Sequence, residues 1–319
     1  MRVAIPFAGV DASGFGYGRT RSCPTFGAGY AAYMFGTALN DTPTVNLFTG
    51  VNDGRLVGTP AAVGLVGGPM ATSFSGTITG GNLLTVTGAV SGDALVTGET
   101  IELATGLGGS LGAIAAFGTN GTTGTGGAGT YALVGGVNTP TSNMRAFTRF
   151  FEVPGFSRDI FNVGNALTLL AIYKSPLSQG LLSDDVNGGS MGILVPGTFD
   201  IQTFGRDSAA TVVNVSTGSG FLNGATTWTM GVSQYDTTTG QGFIQRSGPA
   251  RIASAVAGPR TANPMGSTGR KLRTHIYTTT TPAATIAGIA LYTKKLSGAE
   301  MDDAFLFWRD IMSDASEVL

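Results

Sequence analysis

The chain has 319 residues, 51 of them Gly, with only 12% charged residues, a formal net charge of −1 and a mean hydropathy of +0.22. Low charge with ample Val, Ile, Leu and Phe excludes a disordered chain, and a near-neutral balance leaves no electrostatic footprint for nucleic acid. The single Cys23 excludes an intrachain disulfide or a cysteine metal site, and no apolar run reaches the ~18 residues of a spanning helix. Abundant Gly and Thr with few helix formers predict many short strands joined by tight turns. The start, MRVAIPFAGVDASGFGYG, shows no charged region followed by an apolar one, so no secretory signal is expected.

Residues 1–32 alternate Gly with aromatics (Phe15, Tyr17, Phe26, Tyr30) and predict a turn-rich arm. It either docks onto a larger assembly or packs across its own domain. Asn52-Asp53-Gly54-Arg55-Leu56-Val57-Gly58-Thr59-Pro60 reads as a turn, a short strand and a second turn.

From Ser73 to Gly136 the chain resembles a linker in composition but not in pattern. Thr77-Ile78-Thr79, Leu84-Thr85-Val86-Thr87 and Glu99 to Leu103 alternate polar and apolar residues, the period of half-buried strands. GTNGTTGTGGAGTYALV repeats this, with a Gly turn feeding a strand at Thr130 to Val134. Residues 73–136 are therefore expected to be a small folded β-module inserted into a larger β-domain made of residues 33–72 and 137–319.

After the module, Asn143 to Glu152 reads as one strand restarting the main fold, and Ala166 to Lys174 as a strongly apolar strand. Further strands are expected at 200–206, 210–216, 226–235, 242–246 and 271–278, with Trp228, Met230 and Val232 alternating against Thr227, Thr229 and Gly231. Strands at this spacing without intervening helices point to an antiparallel sandwich. Ile286 to Tyr292 is a last strand. Ser297-Gly298-Ala299-Glu300 is a capping box with Leu296 placed to staple onto Met301. Met301, Ala304, Phe305, Trp308, Ile311 and Met312 then give one helix a single apolar face.

Two stretches resemble known families. The run NDGRLVGTP, with the ending IAGIALYTKKLSGAEMDDAFLFW, resembles the laminin-G/concanavalin A-like jelly rolls, including versions in phage and prophage proteins. GTITGGNLLTVTGAVSGDALVTGETI followed by TGTGGAGTYALV is similar to a repeat of tailed-phage appendage proteins. The resemblance implies an all-β jelly-roll sandwich with an inserted β-module and one C-terminal helix. It further implies a non-enzymatic virion protein: a short fibre, collar, tail appendage or surface decoration. Its partners would be other virion proteins and its own copies, as a homotrimer, together with a host-surface glycan. Laminin-G modules often bind Ca²⁺, but no ligand set aligns here, so calcium stays open and no other cofactor is expected.

Chemistry-bearing residues are few. Gly124-Thr125-Gly126-Gly127-Ala128-Gly129 matches G-x-G-x-x-G, yet a strand follows where a dinucleotide site needs a helix, so these glycines are read as turn residues. His275, the only histidine, is read as a structural strand residue. Acid pairs could support a glycan-cleaving jelly roll. However, Glu99 and Glu102 lie in the module, Glu300 serves the cap, and Asp184-Asp185 and Asp302-Asp303 are adjacent pairs whose side chains diverge. For a carbohydrate-binding alternative, Tyr173, Arg206, Tyr235, Arg246 and Arg251 are the candidate ligand residues.

Overall fold

The computed structural model describes residues 22–57, 60–66, 70–92, 94–104, 110–147, 150–154, 166–174, 179–183, 191–195, 202–206, 212–216, 227–236, 239–245, 251–254, 272–275 and 284–319. In chain order the first strands are β1 (Gly29–Met34), β2 (Arg55–Val57) and β3 (Leu65–Val66). Then come β4 (Met70–Thr79), β5 (Leu83–Val86), β6 (Ser91–Gly92), β7 (Thr100–Leu103), β8 (Gly112–Ile114), β9 (Gly129–Val134) and β10 (Thr139–Phe147). The remainder are β11 (Phe150–Val153), β12 (Ala166–Lys174), β13 (Gln179–Ser183), β14 (Met191–Val195), β15 (Gln202–Arg206), β16 (Val212–Ser216), β17 (Thr229–Asp236), β18 (Gly240–Gln245), β19 (Arg251–Ala253), β20 (Leu272–Thr274) and β21 (Thr285–Tyr292). One helix, α1 (Gly298–Asp314), follows.

These strands form three sheets, and every pairing recorded among them is antiparallel. The first runs β1-β21-β12-β17-β18-β19 with β3 added to β21, and the second runs β16-β15-β14-β13-β20-β11-β2. The two lie face to face around one core, in which Leu167, Leu169, Ala171 and Tyr173 of β12 meet Leu181 and Leu182 of β13, Ile193 of β14 and Val153 of β11. Over the described residues the fold is thus β-rich with one α-helix, as the spacing of strands predicts.

Strand β12 is apolar on both sides because both of its faces are covered. Leu170 and Ile172 point away from the sandwich core into a second core, with Trp228, Met230 and Val232 and the apolar face of α1. The helix begins as its capping box requires: Ser297 Oγ accepts from Glu300 N at 3.3 Å, and Glu300 Oε2 accepts from Ser297 N at 2.8 Å. Leu296 and Met301 both sit in the core beneath it. A register shift opposite Ile172 and Tyr173 leaves Ala287 as an extra residue in β21. This lets Ile286 and Ile289 both face the sandwich core despite their odd spacing.

The third sheet is the inserted module. Its order is β10-β7-β8-β9-β5-β4, and β10 also pairs with β4, so six strands close into a barrel with β6 appended to β4. Closure removes the open edges an isolated small sheet would present. Its interior holds Phe74, Ile78, Leu84, Val86, Ile101, Ile114, Tyr131, Leu133 and Met144. Of these, Ile78, Leu84, Val86, Ile101, Tyr131 and Leu133 are apolar members of the alternating segments.

Several expected boundaries shift. Asn143 to Glu152 is two strands: β10 closes the barrel and β11 belongs to the second sheet, so barrel strands extend from Met70 to Phe147, beyond 73–136. A segment with strand propensity throughout carries no mark of where it changes sheets. The arm expected over 1–32 ends inside β1, which pairs with β21. Phe26 packs on Tyr292 at 5.6 Å and Tyr30 donates to the Pro154 carbonyl, so the described part of the arm lies against its own domain. Residues 1–21 lie outside the described residues. The strand expected over 271–278 leaves β geometry at His275, whose φ is +60°.

Gly288 on β21 is set by a close approach. A Cβ there would lie 2.3 Å from ring carbons of Trp308, so the indole of α1 lies directly on bare backbone. Gly288→Ala is expected to lower the unfolding free energy by about 1–3 kcal/mol. Chemical denaturation of the variant checks this, and unchanged stability would refute the packing argument.

Candidate functional site

The densest group of charged side chains among the described residues lies where the barrel meets the second sheet. Glu152 on β11 stands directly opposite Arg55 on β2 and Arg273 on β20, so one carboxylate is flanked by a cation on each neighbouring strand. Arg273 holds Glu152 Oε2 at 2.8 Å through Nε and at 2.7 Å through a terminal nitrogen, and Arg55 reaches the same oxygen at 3.3 Å. Glu102, from β7 of the barrel, enters the same group. One of its oxygens pairs with Arg273 and the other with Arg55 at 3.3 Å. The ring of Phe150 lies under both guanidinium groups, with its centroid 5.0 Å from Arg273 and 5.3 Å from Arg55. Arg273, Glu102 and Glu152 are buried and Arg55 is about half-buried, 32% of its side chain remaining accessible.

This arrangement neutralises each carboxylate with fixed cations. A glycosidase pair needs one carboxyl to carry a proton and room for a sugar between the two. Here both acids are bound to the same arginines, and the geometry is that of a joint. Sequence reading placed Glu102 in the module but did not pair it with Arg55, Glu152 or Arg273. The available signal was Glu99 and Glu102 standing in a stretch without Lys or Arg from Ser73 to Met144.

The glycine-rich GTGGAG segment serves Tyr131. Gly126 N donates to the Tyr131 hydroxyl, which donates in turn to the Gly127 carbonyl, and Gly124 N donates to Thr130 O. A Cβ at Gly124 would lie 2.2 Å from the Tyr131 ring. The loop therefore wraps an aromatic side chain, its amides at 124 and 126 are engaged within the protein, and strand β9 follows as predicted.

The five residues considered for a ligand site do not converge among the described residues. Tyr173 and Tyr235 are fully buried in the sandwich core. Tyr235 stands opposite Leu167, six residues from Tyr173 along β12, a separation of about 20 Å. Arg251 donates to Gly298 O at 2.6 Å and pairs with Asp302 at 2.7 Å, fastening edge strand β19 to the first turn of α1. Arg206 falls within β15, but its side chain, like the whole of Arg246, lies outside the described residues, as do Asp184 and Asp185. The aromatic residues alternated toward the core for the ordinary reason that a strand inside a sandwich buries its larger side chains.

The nucleophile and base candidates are enclosed. Burial pushes the Cys23 thiol well above its usual range. His275 is buried, and burial lowers its pKa to about 4, opposed by its bond to the Ala284 carbonyl. That carbonyl can only accept, so Nε2 carries the proton at 3.1 Å from it, and Nδ1 accepts from the Thr274 hydroxyl at 3.0 Å. Thr274 Oγ1 itself accepts from Phe151 N at 2.8 Å, tying β20 to β11. His275 is thus a neutral linking group in the core, in accord with its reading as a structural residue. Among the described residues no three His, Cys, Asp or Glu side chains gather as a metal site, and Asp53 of the Asn-Asp-Gly turn accepts from the Tyr33 hydroxyl at 2.7 Å.

No family model matches the chain, and no curated protein matches it. Partial likeness is found to solved structures. One, titled "Cell entry of botulinum neurotoxin type C is dependent upon interaction with two ganglioside molecules", aligns at 12% identity over 50% of this chain and 40% of its own, with a TM-score of 0.38. The binding domain of Paraclostridial Mosquitocidal Protein 1 aligns at 9% identity over 69% of this chain and 52% of its own, with a TM-score of 0.38. A structure titled "NanB plus Optactamide" aligns at 15% identity over 44% and 24%, with a TM-score of 0.32. Overlaps this partial assign no role to the chain, which spans well under two thirds of each of these structures.

Two outcomes follow from the geometry. Glu102→Ala leaves buried Arg273 short of a partner and is expected to cost about 3–5 kcal/mol, while Arg273→Met added to it should cost far less than Arg273→Met alone. Purely additive losses in that double-mutant cycle would show that the two side chains act independently. The folded-state pKa of His275 lies below its ordinary 6.5, so its contribution to stability is full above about pH 6.5 and is lost as pH falls through about 4. The loss is on the order of 3 kcal/mol. His275→Asn, which tolerates the left-handed φ, should flatten the stability profile across that window in urea titrations at stepped pH. An undiminished slope would assign the acid sensitivity to other groups.

Proposed function

We propose that the chain is a non-enzymatic structural protein of a tailed-phage particle, an appendage or surface component, whose laminin-G-like sandwich supports a closed barrel that makes protein contacts. The observation that carries this reading is the character of the barrel. Of 18 Lys and Arg and 19 Asp and Glu in the chain, the stretch from Ser73 to Met144 holds only Asp93, Glu99 and Glu102. Glu99 and Glu102 are buried. The described exterior of the barrel over that stretch is therefore uncharged, made of Thr, Ser, Asn, Gly and apolar residues that include the exposed Phe117. Such a surface can be covered by a protein neighbour without stripping water from charges, the costly part of forming an interface.

The joint supports the same reading. A closed barrel fastened to the sandwich by buried ion pairs is a positioned unit, suited to being presented to a neighbour. The enclosure of His275 and Cys23, and the pairing of Glu102 and Glu152 with arginines, favour a role without catalysis. The order of turns from Gly76 to Val134, similar to that of tailed-phage appendage repeats, supplies the particle as the setting.

The expected outcome is that peptides of this chain appear, at a constant ratio to the major particle proteins, in mass spectrometry of gradient-purified particles from the culture encoding it. Their absence from purified particles would overturn the proposal. Binding on a glycan array by a chain absent from particles would favour the carbohydrate-recognition alternative instead.

A further inference from the structure

The barrel and the sandwich keep separate cores. Phe74, Ile78, Leu84, Ile101, Tyr131 and Met144 pack among barrel residues alone, while both sandwich cores are built from residues outside 70–147. Among the described residues, every extensive strand-to-strand contact also lies within one unit or the other. The barrel begins and ends at one place, since Met70 of β4 pairs with Phe147 of β10. A unit that encloses its own core and is attached at one place can lose or gain order as a body.

Contacts that cross between the units converge on β2. This strand has three residues, all partly exposed, and lies at the end of the second sheet, where it pairs with β11. Its first residue, Arg55, reaches Glu102 of the barrel as well as Glu152, and its last, Val57, packs against Phe147 and Phe150. The charges make β2 depend on the barrel. On the sandwich side Arg55 and Arg273 both hold Glu152, so Glu102 supplies the second negative charge of the group. Arg145 stands opposite Glu102 on β10 and adds a cation on the barrel side. Should the barrel lose order, Arg55 and Arg273 are left to share one carboxylate. An edge strand of three residues is then the part least able to hold its place.

We propose that Glu102 and β2 form a coupling device: the order of the barrel is transmitted through Glu102 to β2 and β11 at the edge of the second sheet. The first sheet, whose cores hold no barrel residue, stays unaffected. Whatever steadies or loosens the barrel is then felt across the joint. Such coupling is a free energy between two units, and removing the residue that carries it makes them independent.

Hydrogen exchange of the full chain under native conditions, read peptide by peptide in a mass spectrometer, tests this. Leu84→Ala opens a cavity in the barrel core, outside the ion group. It should speed exchange in the barrel and, by about tenfold or more, in the amides of 55–57 and 150–153. Peptides of β12, β17 and β21 should exchange as in the parent. Glu102→Gln, close in shape but without the charge, should by itself speed exchange in 55–57 and 150–153. Adding Leu84→Ala to it should then change those two segments by less than about twofold. Where either chain fails to fold, Ile78→Val in the barrel core and Arg55→Gln at its half-buried position are the milder replacements. A loosened barrel that leaves 55–57 and 150–153 at parent rates would overturn the proposal. Equal acceleration by Leu84→Ala with and without Glu102→Gln would do the same, as would equal acceleration in all three sheets.

Discussion

The buried group of Arg55, Glu152, Arg273 and Glu102 is the constraint that relates the two halves of this structure. Arg273 and Arg55 each touch both acids, one from the sandwich and one from the barrel. Taking such charges out of water is costly, and each is tolerable only with its partners in place. The joint therefore specifies an arrangement more than it adds stability: loss of any member strands the others. Phe150 beneath both guanidinium groups and edge-on to Phe147 continues the contact into apolar packing on either side of the chain crossing.

From that joint the rest of the architecture divides by what each layer covers. The first sheet is covered on both faces, by the second sheet and by α1, which is why β12 and β21 are apolar along nearly their whole length. Among the described residues no helix covers the barrel; it encloses its own core and its described exterior from Ser73 to Met144 is uncharged. The C-terminal segment is fastened back onto the first sheet. Burial pushes the Glu317 carboxyl up, but hydrogen bonds from Lys174 and Trp228 outweigh it and hold it below its usual range. Lys174 also stacks on the Trp228 ring at 4.6 Å.

Polar atoms in the cores are placed where strands change role. Thr274 receives Phe151 N and turns toward His275, and Thr168 bonds Lys294 O at the start of the turn into α1. Asn46 accepts from Ala32 N and Phe48 N and so tethers its loop to β1. Each satisfies backbone groups that no ladder reaches. The buried tyrosines and the single histidine thus belong to the framework.

What the sequence alone determined was local. Alternation identified the strands, a run apolar on both faces identified β12, and Ser297 with Glu300 identified the start of α1, because these depend on neighbours within a few residues. Gly124 to Gly129 could be read as turns because a strand followed them. The closure of the barrel was decided only by the tertiary structure, since β10 pairing with both β4 and β7 joins residues far apart in the chain. The division of NMRAFTRFFE between two sheets was decided there as well, for both halves have strand pattern and only the partners differ. The inward turn of Tyr173 and Tyr235 and the meeting of Glu102 with Arg273 belong to the same class. A side chain's partners across a sheet or between two units are set by register and packing, and single-sequence periodicity carries neither.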